Sequence, residues 1–421
     1  MYCTLLGLSN YGNRAIASAS HNREKRSRLF CEIYSMQFLC FCVSIVAYIC
    51  YSCLIARDRE ASLIMAITVA SAAFDINWFF FGMEKFKLTV VRNTIIKIAS
   101  VVCIFIFVKD DHDVYVYIFI MSLSFLLSQA ALWPFLKKYI DFALPKFHSV
   151  IRHFKPNLIL FVPVVAVSIY RLLDKIFLGT MSSMTEVGYF ENAERITTIA
   201  LTLITAVGTV MLPRMSFLVS SNQVNQSKKY IDKTMVCVLA YSNAAMFGLL
   251  AISDEFVSVY YGANFYQTSD VLKILSITII FLGCGNVVRT QFLIPNKFDK
   301  IYLYSAIGGA FINICVNLLL VPHFFSVGAA IGTVFAEIFV CLYQLIRCRN
   351  ELHLFRFLFF EFCFFVIGFI MYCLIGVSPF FFNPILTLLL HISIGIIFYV
   401  PFAFILIFFL FKKIDKISIK K

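Results

Sequence analysis

Apolar residues in this chain come in long runs, and polar residues gather in the gaps between them. A helix needs about 20 mostly apolar residues to cross the hydrocarbon layer of a membrane. Each long run is therefore predicted to be one spanning helix. Twelve are predicted, over 31–56, 61–83, 93–108, 114–136, 156–178, 188–213, 234–253, 268–294, 300–322, 325–347, 355–377 and 382–411. The third is short and starts near Lys97. Pro163, Pro213 and Pro295 fall in or at the ends of spans, where proline bends a helix. Met1–Asn10 hold an apolar stretch too short to cross. The pattern predicts an all-α, polytopic membrane protein with about 12 transmembrane helices.

Charge adds direction to this ladder. Lys and Arg occupy every second connection, as in Arg14–Arg28, Lys85–Lys97, Lys137–Lys155, Arg214–Lys233, Lys297–Lys300, Arg347–Arg356 and the tail Lys412–Lys421. The connections between these are short and often acidic, as in Lys109-Asp-Asp-His-Asp113 and Ser253-Asp-Glu255. Positive charge in short loops stays on the cytoplasmic side. Both termini are thus expected in the cytoplasm and the chain in a bacterial inner membrane.

Composition agrees: 61% of residues are hydrophobic and 14% charged, against about a quarter charged in a soluble domain. The net charge of +13 does not argue for nucleic acid, because it lies along one membrane side and not on one folded face. Most of the 14 cysteines sit inside apolar runs. Even Cys50-x-x-Cys53 has no histidine nearby and reads as small apolar residues.

An internal repeat is the second signal. Phe81-Gly-Met-Glu-Lys-Phe-Lys87 corresponds to Leu293-Ile-Pro-Asn-Lys-Phe-Asp299, and Gly7–Arg14 corresponds to Gly208–Arg214 in position and charge. Both copies cross in the same direction, so they are parallel repeats. The chain divides into an N-terminal lobe at 1–145, a C-terminal lobe at 146–350, and two extra helices with a basic tail at 351–421. Two spans precede Arg214 but none precedes Arg14. The repeat therefore predicts that a first helix pair is missing.

Several of these stretches carry a family resemblance. They are Gly7-Leu-Ser-Asn-Tyr-Gly-Asn-Arg14 with its basic turn, Phe74-Asp-Ile-Asn-Trp-Phe-Phe-Phe-Gly82 with Lys85-Phe86, Lys155-Pro-Asn157, Asp174-Lys-Ile-Phe-Leu-Gly179, Val187-Gly-Tyr-Phe-Glu-Asn-Ala-Glu-Arg195, Met211-Leu-Pro-Arg214 and Tyr261-Gly-Ala-Asn-Phe265. They resemble the Wzx-type polysaccharide (O-antigen or capsule) repeat-unit flippases of the MOP exporter superfamily. The resemblance implies a MATE-like fold of two six-helix lobes around a cavity, with two further C-terminal helices. It implies a transporter, not an enzyme, without a cofactor. Its substrate would be an oligosaccharide joined through diphosphate to undecaprenyl lipid. Membrane lipid is a partner, and a polysaccharide polymerase and a chain-length regulator are candidate partners. The missing helix pair implies an impaired product.

Charges inside spans supply the candidate site, because a charge in lipid is costly and must face protein or water. Arg171, Lys175, Arg195 and Arg289 are candidate cavity cations for the diphosphate. Arg171 and Lys175 are four apart and share a helix face, and Arg195 is placed to join them from the next helix. Asp75, Asp174, Glu194 and Glu337 are candidate coupling-ion acids. For every one of these residues mutual ion pairing or helix contact is the competing reading. Asn313 and Asn317 share a face and read as polar glue between helices. Gly328-x-x-x-Gly332 reads as a close-packing motif, and His391 as a core histidine. No catalytic or metal-ligating set is expected. Two other functions stand beside flipping: a cation-coupled drug exporter, which favours acids in the cavity, and a membrane polysaccharide polymerase or ligase. The latter needs catalytic groups on an outer loop, and the outer connections here are short. No phosphate-binding P-loop is present, so ATP is not expected to drive the chain directly.

Overall fold

A computed structural model describes residues 2–56, 58–110, 113–379 and 383–419. The chain forms two compact units. Unit 1 comprises Met1–Val162 and Val210–Ser221; unit 2 comprises Pro163–Thr209 and Asn222–Lys421. The chain passes from one unit to the other three times: within helices beside Pro163 and close to Pro213, and at the turn Ser221–Asn222.

Unit 1 begins with α1 (Tyr2–Leu5), α2 (Leu8–Ala17) and the long α3 (Arg23–Leu54). Next come α4 (Arg59–Ser71), α5 (Asn77–Gly82), α6 (Phe86–Phe107) and α7 (Val114–Ala130), then the short α8 (Trp133–Leu136) and α9 (Phe147–Ile151). Side-chain caps start two of them. Asn22 accepts from the Lys25 amide and Asp58 from the Ala61 amide, each satisfying a donor that the first helical turn leaves open. The core is aromatic: Phe30, Trp78, Phe79 and Phe80 are buried against one another. Glycine lets the helices close on this core. A Cβ at Gly12 would lie 2.7 Å from the Trp78 ring. One at Gly7 would lie 2.6 Å from the Asn157 carbonyl oxygen, so two of the stretches quoted above meet directly.

The two units are joined by α10 (Phe154–Met181) and α11 (Met184–Ser220). Unit 2 continues with α12 (Val224–Tyr260), α13 (Tyr266–Ser276), α14 (Thr278–Val287) and a π-helical stretch at Val288–Leu293. The 49-residue α15 (Asp299–Arg347), α16 (Leu354–Gly376) and α17 (Pro384–Ile419) complete it.

Among the described residues, 10 helical segments are long and apolar enough to cross a membrane. One of these is α15, which holds two of the predicted spans. It kinks at Phe325, whose φ of 51° and ψ of −127° are not helical, three residues after Pro322. The halves then pack on each other through the predicted glycine motif. A Cβ at Gly328 would stand 2.6 Å from the Leu320 carbonyl oxygen, and one at Gly332 2.2 Å from Asn317 Oδ1.

Two expectations change. The span predicted over 61–83 is not one helix, because α4 ends at Ser71 and α5 starts at Asn77. Gln37 of α3 reaches into the break and donates through Nε2 to the Ala72 and Asp75 carbonyls at 2.8 and 2.9 Å, while Trp78 Nε1 donates to Gln37 Oε1 at 3.0 Å. Carbonyls freed inside a membrane must find such partners, and α3 supplies them. The span predicted over 93–108 begins earlier, at Phe86. Lys87, Arg92 and Lys97 ride on this helix, because long basic side chains can lift their charge away from the apolar layer.

Two of the segments paired in sequence end their helices in the same way. Glu84 and Lys297 both adopt left-handed backbone, with φ of 55° and 63°. Each lies in the same pair of bonds: Lys85 N to Phe80 O with Glu84 N to Phe81 O, and Phe298 N to Leu293 O with Lys297 N to Ile294 O. This paired closure ends a helix by satisfying its last carbonyls. The structural match is shifted by one residue from the sequence match of Lys85 with Lys297.

Candidate functional site

Asp174 sits on α10 with 1% exposure. Its carboxylate accepts from Asn317 Nδ2 and, at 3.2 Å, from Thr333 Oγ1. Asn317 Nδ2 also donates to Asn313 Oδ1 at 3.2 Å. Asn313 and Asn317 lie on the first half of α15 and Thr333 on the second, so the kink at Phe325 brings three side chains to one carboxylate. Burial of a charge demands such hydrogen bonds or a counter-ion. The donors here are neutral, so they bring no counter-charge to the carboxylate, which suits a proton or a small cation.

Lys175, the next residue on α10, pairs with α11 instead: its Nζ lies 3.3 Å from Glu194 and 4.0 Å from Glu191. Arg195 Nη2 donates to Glu191 Oε1 at 3.0 Å. Glu191 thus stands between Lys175 and Arg195, and the predicted gathering of these two cations occurs through an acid. The Arg171 side chain lies outside the described residues. Arg289 is elsewhere in unit 2, over the Tyr302 ring at 5.4 Å. It lines a cavity of about 280 Å³ with Glu337, Asn286 and several threonines of α11. Gly208 makes room here, since a Cβ would fall 2.3 Å from Asn286 Oδ1.

Asp75 is in unit 1, in the break before α5. Its Oδ1 accepts from the amide and the Nδ2 of Asn77, both at 2.9 Å, and Asn77 Nδ2 continues to Gln129 Oε1 at 2.8 Å. A carboxylate bonded to the amide two residues on is a local turn device.

Two acids, buried Glu32 and half-buried Glu361, were not singled out from the sequence. Glu32 has a side-chain exposure of 2%, and accepts from Arg28 Nε at 3.0 Å and Arg152 Nη2 at 3.1 Å. It also meets His153 Nε2 at 3.0 Å, while Tyr11 bonds the other ring nitrogen of His153. Arg28 at four residues was the one local hint; Arg152 and His153 are far away in sequence. Glu361 of α16 accepts from Asn243 Nδ2 of α12 at 3.1 Å. His391 is buried, with Nδ1 3.5 Å from Glu255. It borders a largely apolar cavity of about 500 Å³ lined by α11, α12, α16 and α17.

Residues 3–219 match the polysaccharide biosynthesis protein family. The chain is 23% identical over 351 residues to a putative O-antigen transporter of Escherichia coli K12, covering 82% of this chain and 84% of that protein. It is 24% identical over 297 residues to a putative O-antigen transporter of Shigella dysenteriae, covering 68% and 73%. The fold is that of the lipid II flippase MurJ in an inward closed conformation, with a TM-score of 0.66 and 17% identity over 96% of this chain and 92% of that one. It is also that of an outward-facing MATE transporter of the MOP superfamily, with a TM-score of 0.69 and 14% identity over 85% of each.

Proposed function

We propose that this chain, which belongs to the polysaccharide biosynthesis protein family, flips oligosaccharide repeat units linked to undecaprenyl diphosphate across a bacterial inner membrane. The observation that carries this reading is the similarity to O-antigen transporters along 82% of the chain. In the proposed mechanism the diphosphate is held by Lys175, Arg195, Arg289 and Arg171. Lys175 and Arg195 are balanced by Glu191 and Glu194 in the absence of substrate. A diphosphate brings several negative charges and the oxygen geometry that a guanidinium binds in pairs. It can therefore take these cations from their acids, and departure on the far side restores the pairs. Asp174, with Asn313, Asn317 and Thr333, is the proposed carrier of the coupling proton or cation. Both termini are cytoplasmic in this reading, and a polymerase takes up the flipped unit.

A cell deleted for its own flippase provides the test. Expression of this chain should lower the accumulated lipid-linked oligosaccharide and restore surface polysaccharide; unchanged accumulation with the protein present in the membrane would refute it. The buried acid at Asp174 also suits a cation-coupled exporter of small molecules. That reading expects instead a gain in drug tolerance with no effect on the lipid-linked pool. Reporter fusions after Lys155 and Lys421 should read as cytoplasmic and a fusion after Asp113 as external. A reversed pattern would overturn the orientation.

A further inference from the structure

Unit 1 holds a cavity of about 750 Å³ that the transport reading leaves unused. Leu88, Val91 and Ile95 of α6 and Phe135 of α8 form its apolar wall. Lys85, Lys87 and Arg92 border it, with Glu84 as the single acid. Lys85 and Lys87 are exposed and make no ion pair among the described residues. Arg92 is half-buried. Its Nη2 donates to Asn77 Oδ1 at 3.1 Å and to Asn93 Oδ1 at 2.7 Å. Its Nε and Nη1 are buried without a partner. A buried donor left unmet is costly, and more so on a charged group. An acceptor with several oxygens and negative charge would meet both donors and the two lysines together.

The apolar wall narrows the choice. Only 6% of the spanning window of α6 is buried, and Val90, Ile95 and Ile98 present exposed apolar side chains along it. A free phosphate would leave this wall bare. A zwitterionic lipid would bring its own cation up to Lys85 and Lys87. We propose that this cavity binds the phosphate of an anionic membrane phospholipid, whose acyl chain lies along α6. The lipid is a resident ligand of unit 1 and not the transported molecule, so the proposal stands independently of the flippase reading.

The test uses the purified full chain in detergent, titrated with phosphatidylglycerol, phosphatidylethanolamine or inorganic phosphate and followed by native mass spectrometry and thermal melting. Phosphatidylglycerol should bind most tightly and raise the melting temperature most. The double variant K85Q/K87Q should weaken its binding about thirty-fold, since each basic side chain near an anionic lipid contributes about 1 kcal/mol. Its lipid-free melting temperature should match that of the unaltered chain, because neither lysine is buried or paired. R92Q should weaken binding at least as much; K85Q/K87Q guards against a folding defect in R92Q, where contacts to Asn77 and Asn93 are also lost. K412Q/K413Q, in unit 2 and outside the cavity lining, should bind as the unaltered chain does. Equal binding of the two lipids would overturn the proposal. So would equal protection by inorganic phosphate, unchanged binding in K85Q/K87Q, or an equal loss in K412Q/K413Q.

Discussion

Asp75 and Asp174 are both buried carboxylates inside apolar stretches, with exposures of 8% and 1%, yet they are satisfied in opposite ways. Asp75 is bonded by its own turn, two residues away. Asp174 is bonded by side chains from both halves of α15, more than a hundred residues away. A local partner forms whenever the turn forms, so it stabilises a backbone conformation. Distant partners come together only in the finished fold and depend on the kink between the two halves of α15. Any movement of α10 against α15 changes the surroundings of Asp174 and leaves those of Asp75 alone. The same residue type thus bonds its own turn in unit 1 and a second helix in unit 2.

The largest expected effect comes from removing the two carboxylates in turn. Asp174→Ala should lower export at least about ten-fold per molecule, the scale of losing one charged hydrogen-bonded group. Asp75→Ala should act on protein level instead, destabilising by about 1 kcal/mol as a lost hydrogen bond does, with export per molecule nearly intact. Lipid-linked oligosaccharide accumulation normalised to membrane protein separates the two. Equal loss of export per molecule in both variants would break the comparison.

Gly332→Ala sharpens it next. The added Cβ would fall 2.2 Å from Asn317 Oδ1, so Asn317 must move and its bond to Asp174 must stretch. Overpacking of this kind costs about 1–3 kcal/mol. Export should fall further than melting temperature alone accounts for. Gly376→Ala is the control, since nothing lies within 4 Å of a Cβ there, and it should be nearly silent.

How much of this was legible in the sequence follows the same division between local and distant partners. Hydropathy marked the spans, and the kink at Phe325 was readable as the gap between the predicted spans 300–322 and 325–347. The break between α4 and α5 was not. The run there is as apolar as its neighbours, and the group that makes the break affordable, Gln37, lies on α3. The pairing of Lys175 with Glu194, and of Arg195 with Glu191 at four residues, was within reach of helical spacing. Asn313 and Asn317 were readable as glue, but not the carboxylate that they would hold. Glu32 with His153 was hidden altogether, because its partners meet only after α9 and α10 return to α3.

A smaller effect is expected at Arg195. Its side chain is 68% exposed and its one acid is on the same helix. Exposed pairs at this spacing contribute about 0.3–0.5 kcal/mol, so Arg195→Lys should leave the melting temperature unchanged. If the guanidinium holds diphosphate, export should fall moderately, because the charge survives and the paired geometry is lost. Unchanged export in Arg195→Ala would remove this residue from the substrate set.

The smallest effect tests whether distant partners suffice without burial. Arg23 binds Asp141 through two bonds of 2.8 Å, across more than a hundred residues, but the side chains are 53% and 71% exposed. The Arg23 guanidinium holds the Asp141 carboxyl below the usual carboxylate range, first through the hydrogen bond and then through its charge. A carboxyl whose pKa is lowered by folding contributes stability above its unfolded value, about 3.9, and loses it as pH falls through the folded value. Melting of Arg23→Gln should therefore lie slightly below that of the unaltered chain at pH 7 and converge with it in acid. High salt at pH 7 should also close the gap, since at about 1 M the screening length is near 3 Å. Arg26, three residues on, gives the contrast. It is 8% exposed and donates to the Tyr139 and Ser20 carbonyls, neither of which titrates. Arg26→Gln should lower the melting temperature more, and most of its gap should persist in acid, where only its charge interaction with Asp141 is lost. A pH-independent gap for Arg23→Gln, equal in size to that of Arg26→Gln, would mean that exposure does not weaken a distant pair here, and the distinction drawn from Asp75 and Asp174 would have to rest on sequence separation alone.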